Sequence, residues 1–76
     1  MKEKILAILQ SVREDIDFEN EEYLIDNERL DSIDVVGIAT ELMESFGIDI
    51  DADDIEPENF NSLERIVDMV RRKIAH

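Results

Sequence analysis

Apolar residues recur at helical spacing in three separate stretches of the chain. Ile5, Leu6, Ile8, Leu9 and Val12 predict a first helix over residues 3–14. Its last turn holds Arg13, which suits the negative end of a helix, and also Glu14 and Asp15, which do not. Val36, Ala39, Leu42, Met43 and Phe46 supply most of a core stripe on a second helix over residues 32–46, and Gly47 is placed to stop it. Leu63, Ile66, Val67, Val70 and Ile74 make the apolar face of a last helix. Asn61 is expected to cap that helix, with Glu64 at the capping-box position. Arg71, Arg72 and Lys73 then fall at its C-terminal end, where cations suit the dipole, and read as helix-end chemistry.

Two long connections separate these helices. Residues 15–30 are rich in Asp, Glu and Asn, with Phe18, Tyr23, Leu24, Ile25 and Leu30 among them. They predict a loop pinned to the helices by its apolar side chains, and structureless loops of that length are often functional. In the other connection, Asp51 to Glu56 predict a short acidic helix that Pro57 ends. There is no internal repeat and no β alternation. The expected architecture is all-α: one domain over residues 1–76, with three main helices and a short fourth.

Charge narrows the partners. Twenty-one acidic against eight basic side chains leave a net charge of −13. Nucleic acid is excluded as a natural partner, because a phosphate backbone needs basic contacts. Basic patches on other proteins are the complement. A hydrophobic content of 43% is too high for a disordered acidic tail. There is no cysteine, hence no disulfide and no thiolate metal cage. After Met1-Lys2-Glu3-Lys4 come only five apolar residues, fewer than a secretory core needs, and no stretch approaches a membrane span. The expectation is a cytoplasmic monomer.

The second helix opens on Leu30-Asp31-Ser32-Ile33-Asp34. Asp31 is a good N-cap, with Asp34 in the capping-box position. Ser32 lacks the means to act as a nucleophile by itself. A hydrolase serine needs a neighbouring base and an oxyanion site, and the one histidine is His76, at the end of the sequence and expected to fray. No Gly-x-Ser-x-Gly elbow is present. Taken alone, a serine here is a common helix-start residue. The acids at Asp49, Asp51 and Asp53 copy the start of a calcium loop, but Asp54 and Phe60 stand where Gly and Glu are required. No specific metal site is expected.

A wider frame changes the weight of Ser32. Leu24 to Asp34, with Phe46-Gly47-Ile48-Asp49-Ile50 at the far end of the helix, resembles the attachment region of the acyl carrier protein family. Length, helix order and acidity resemble that family too. The resemblance implies a non-catalytic carrier whose Ser32 takes a 4′-phosphopantetheine arm from coenzyme A, through a phosphopantetheinyl transferase. The arm's thiol would hold an acyl or aminoacyl group as a thioester, loaded by a ligase or synthase with a basic docking patch. It implies a docking surface of Ile33, Val36 and Thr40, with Asp31, Asp34, Glu41, Glu44, Asp53, Asp54 and Glu56 as its acidic face. Two positions depart from the fatty-acid-synthesis carriers: Gly37 stands where they usually have glutamate, and Met43 also replaces an acid. The run Pro57-Glu58-Asn59-Phe60-Asn61-Ser62 resembles stand-alone carriers linked to adenylating ligases, and peptidyl and D-alanyl carriers. A specialised carrier and a fatty-acid-synthesis carrier both stay open, with an acidic adaptor lacking a prosthetic group as a third class.

Overall fold

A computed structural model describes residues 1–75. The chain is all-helical over these residues: α1 (Lys2–Val12), α2 (Ser32–Phe46), a 3-10 turn (Ala52–Asp54), α3 (Pro57–Phe60) and α4 (Leu63–Ile74). Helix α1 packs against α2 and α4, α2 also meets α4, and α3 lies on α4.

The core is filled from every element. Ile5, Ile8 and Leu9 of α1 meet Val35, Ile38, Ala39 and Leu42 of α2 and Leu63, Ile66, Val67, Met69 and Val70 of α4. Phe18, Leu24 and Leu30 from the first connection are buried among them, as are Ile50 and Phe60 from the second. Phe18, Leu24 and Leu30 thus pin the first connection and Ile25 packs partly against the core, whereas Tyr23, expected among the pins, is 56% exposed. Its second half coils into one tight unit. Leu24 O accepts the N–H groups of Arg29 at 2.8 Å and Leu30 at 3.2 Å, with Glu28 in the left-handed region at φ 55°.

Several expectations need correction. Helix α2 buries Val35 and Ile38, while Val36 is 58% exposed. The Val35-Val36 doublet hides the phase of the helix, and one residue turns a side chain through about 100°. Ile74 at the end of α4 is also exposed. Helix α1 stops at Val12, two residues before the expected end, where Arg13 turns to an extended conformation with its N–H still on Leu9 O. Pro57 does not end a helix. The 3-10 turn closes at Ile55, and Pro57 begins α3 at a position where a missing N–H costs nothing. Asn61 does not cap α4. Ser62 does, its hydroxyl accepting the Arg65 N–H at 3.2 Å. Gly47 is the α2 stop, in the left-handed region at φ 64°, with its N–H on Met43 O.

Gly37 faces α1 at ordinary distance. A Cβ there would lie 3.9 Å from Val12 Cγ1, so no close approach demands glycine.

Candidate functional site

The first turn of α2 sets the geometry around Ser32. Asp31 adopts an extended backbone, and its Oδ1 accepts the Asp34 N–H at 2.8 Å. In return, Asp34 Oδ2 accepts the Asp31 N–H at 3.3 Å. Asp31 carries the capping role, so the Ser32 hydroxyl, one residue later, is exposed and not required for it. The N–H groups of Ser32 and Ile33 belong to the first turn and have no intrahelical partner. They and the helix dipole favour an anion held at this hydroxyl.

Arg13 ties this turn to the rest of the fold. Its Nη1 donates to Asp34 Oδ2 at 2.7 Å and to Arg29 O at 3.3 Å. Its Nε and Nη2 grip Asp15 at 2.9 and 2.7 Å. The Asp15 carboxyl is held below the usual carboxylate range, first by the hydrogen bond from Arg13 and then by a backbone N–H. Sequence spacing places Arg13 only at a helix end. Its partner Asp34 is 21 residues away, and no local pattern joins the two.

Beside Ser32 lies a shallow groove of about 270 Å³, walled almost entirely by carbon. Ile25, Leu30, Val35, Val36 and Ile55 line it, with Asp31 and Ser32 at its rim. Ile33 projects outward at 81% exposure. Ile33, Val36 and Thr40 share a face, being spaced by three and four residues. The Thr40 hydroxyl donates back to Val36 O at 2.9 Å. Glu41 and Glu44 are exposed further along α2.

The acids of the second connection divide into two kinds. Asp53 and Glu56 are exposed. Asp54 is drawn inward: Lys73 Nζ donates to its Oδ2 at 2.6 Å, and the Asp51 N–H reaches the same oxygen at 3.1 Å. The Lys73 hydrogen bond, then that of the Asp51 N–H, lowers the Asp54 pKa. Asp34 and Asp54 thus bond internal cations, while Asp31, Glu41, Glu44, Asp53 and Glu56 face solvent. The calcium-like run serves its own turn, with Asp51 Oδ1 accepting the Asp53 N–H at 3.0 Å. Among the described residues no cluster of three or more His, Cys, Asp or Glu side chains is set to hold a metal.

Asp31 and Asp34 flank Ser32 in sequence and are engaged with each other in the capping box, and Asp34 also with Arg13. His76 lies outside the described residues. The turn has the features of an acceptor: an accessible hydroxyl, free N–H groups for a phosphate, and an apolar wall alongside. A 4′-phosphopantetheine group fits these residues. The N–H groups of Ser32 and Ile33 suit its phosphate, and the groove suits the carbon of its arm.

A helical bundle with an exposed serine at a helix start is the build of a carrier domain. The family described as "Phosphopantetheine attachment site" matches residues 2–70, and the chain belongs to it. Domains of this family carry 4′-phosphopantetheine covalently. They are generally non-catalytic, and work with a modifying transferase and acyl-loading enzymes. No curated protein and no solved structure matches the chain. No helix among the described residues is long and apolar enough to cross a membrane.

Proposed function

We propose that this chain is a cytoplasmic, monomeric carrier protein that receives its 4′-phosphopantetheine on Ser32. The observation that carries this assignment is the exposed Ser32 hydroxyl in the first turn of α2, relieved of capping by Asp31, in a chain of the phosphopantetheine-attachment family. A magnesium-dependent phosphopantetheinyl transferase supplies the arm. The Ser32 oxygen forms a bond to the phosphorus next to pantetheine in coenzyme A. The pyrophosphate bond breaks, adenosine 3′,5′-bisphosphate leaves, and the hydroxyl proton passes to a base of the transferase.

The chain's own residues then present the arm. Ser32 would anchor it, and the first-turn N–H groups would favour its phosphate. The thiol at its far end holds acyl or aminoacyl cargo as a thioester and passes it between enzymes. Ile33 and Val36 give the docking face two exposed apolar anchors, and Asp31, Glu41, Glu44, Asp53 and Glu56 give it charge for basic partners.

A specialised pathway, served by an acyl- or aminoacyl-activating ligase, is the version we favour over fatty-acid synthesis. Supporting it, α2 has no carboxylate at Gly37 or Met43, so the middle of its face carries less charge. The test is intact-mass analysis after incubation with coenzyme A, magnesium and a broad-specificity transferase. One phosphopantetheine should be gained by the native chain and none by Ser32→Ala. An equal gain by Ser32→Ala places the arm elsewhere. Mass spectrometry of the loaded carrier from its host separates the two pathways through the cargo.

A further inference from the structure

Arg13 uses all three guanidinium nitrogens: two brace it on Asp15, and the third leads toward the start of α2. Nε and Nη2 hold Asp15, fixing the fork against its own chain. Nη1 reaches Asp34 Oδ2 and Arg29 O, the latter just before the capping residue Asp31. The same Asp34 Oδ2 accepts the Asp31 N–H, and Asp31 Oδ1 accepts the Asp34 N–H. Ser32 lies inside this ring of bonds. A charged, bidentate fork is more directional than a point charge, and lysine cannot reproduce it. Arg13 also places a positive charge against Asp34, in a turn that already holds Asp31 and would gain the charge of a phosphodiester.

We infer that Arg13 is a positioning residue for phosphopantetheinylation: braced by its fork on Asp15, its Nη1 holds Asp34 of the Asp31–Asp34 capping box and thereby orients the Ser32 hydroxyl for transfer. This rests on Ser32 being the attachment site. Arg13 itself touches no reacting atom. It holds the acceptor turn in one arrangement and offsets one of its two carboxylates. The exposed docking residues Ile33 and Val36 set how often the transferase binds. Arg13 sets how often the bound hydroxyl is aligned, so its loss falls on kcat rather than KM.

The experiment measures transferase kcat and KM, for the carrier as varied substrate, with native chain, Arg13→Gln, Arg13→Lys and Ile8→Val. The last trims the core of α1 and reports what lost stability alone does. Arg13→Gln should lower kcat about tenfold with KM within about twofold. Arg13→Lys should stay close to Arg13→Gln, and Ile8→Val should match the native kcat. Native kcat in Arg13→Gln, full rescue by lysine, or an equal fall in Ile8→Val would each overturn the assignment. Amide hydrogen exchange on the apo chain tests the clamp without any loading. The Asp34 and Val35 amides, bonded to Asp31, should exchange about tenfold faster in Arg13→Gln. Faster exchange in a chain that takes no arm on Ser32 would sink the attachment site and leave the clamp standing. Unchanged exchange with normal loading would sink the clamp and leave the site.

Discussion

Asn61 and Asp26 join the two long connections. Asn61 Nδ2 donates to Asp26 Oδ2 at 3.0 Å, and Asn61 Oδ1 accepts the N–H groups of Asp26 at 3.1 Å and Ile25 at 2.9 Å. The Leu24 N–H bonds Asn61 O at 2.8 Å in the same place. This side chain is buried, and its donor and acceptor both meet matching groups. Asn61 thus holds the loop that delivers the chain to Ser32.

Removing Asn61 leaves two loop N–H groups without their acceptor. Asn61→Ala is expected to cost about 2 kcal/mol in denaturant unfolding. Asn61→Asp faces the Asp26 carboxylate with a second one. Its cost should exceed that of Asn61→Ala. A cost no larger than that of Asn61→Ala would show that charge repulsion adds nothing.

The two glycines should respond in opposite directions. Gly47 sits at φ 64°, so Gly47→Ala is expected to cost about 1 kcal/mol. Gly37 lies inside α2 with room for a methyl group 3.9 Å from Val12. Gly37→Ala should stabilise by up to about 1 kcal/mol. Thermal melts of the two variants check the signs. Destabilisation by Gly37→Ala would mean that the α1–α2 contact cannot accept a methyl group.

These residues also mark what was legible in the chain. The three long helices follow from apolar spacing, and the Asp31 cap and the Gly47 stop follow from local chemistry. Local chemistry could not decide between Asn61 and Ser62 as the α4 cap, since both residue types cap helices. Asn61 is claimed by Asp26, 35 residues away, which leaves the cap to Ser62. The phase of α2 was hidden because either valine of the Val35-Val36 doublet extends the stripe, and only packing selects Val35. Proline bars the helical region to its predecessor yet suits a helix start, so Pro57 was compatible with ending one element or beginning another. Arg13 was visible as a residue and invisible as a clamp, because Arg29 and Asp34 lie 16 and 21 residues away. Ser32 stands out only in the wider frame from Leu24 to Ile50, because a serine at a helix start is by itself common.

Capping and attachment should separate cleanly by mutation. Ser32→Ala should abolish the mass gain and leave stability within about 0.5 kcal/mol, because Asp31 supplies the cap. Asp31→Ala should cost about 1 kcal/mol and, with the capping box gone, take the arm more slowly but still to completion. Chemical denaturation paired with intact-mass analysis reads both. A large stability loss in Ser32→Ala would show that its hydroxyl has a structural role.

Asp54 and Lys73 should couple stability to pH on the acid side. Lys73, then the Asp51 N–H, lowers the Asp54 pKa in the folded chain. A depressed carboxyl contributes its stability above the unfolded value of about 3.9 and loses it as pH falls through the folded value. Lys73→Gln should therefore melt lower at pH 7, by about 1 kcal/mol in stability. That gap should close as pH falls below about 4. A gap constant from pH 7 to the acid limit would show that Lys73 acts through packing, not through Asp54.

Salt should stabilise this protein, although it weakens each ion pair. Dissolved ions screen attractions such as Lys2–Glu64 and Arg13–Asp15 together with every repulsion. Repulsion has the larger share, since 21 acids face 8 bases for a net charge of −13. The molecule measures 31 × 24 × 19 Å. At about 0.01 M salt the screening length is about 30 Å, so charges on opposite sides still repel, whereas at about 0.15 M it is about 8 Å. Tm should rise between those concentrations, and magnesium should raise it at lower ionic strength than a monovalent salt. The unfolded chain is larger and spreads the same charges further apart, so screening favours the compact state. A flat or falling Tm would show that the internal pairs at Asp34 and Asp54 outweigh the excess of acid.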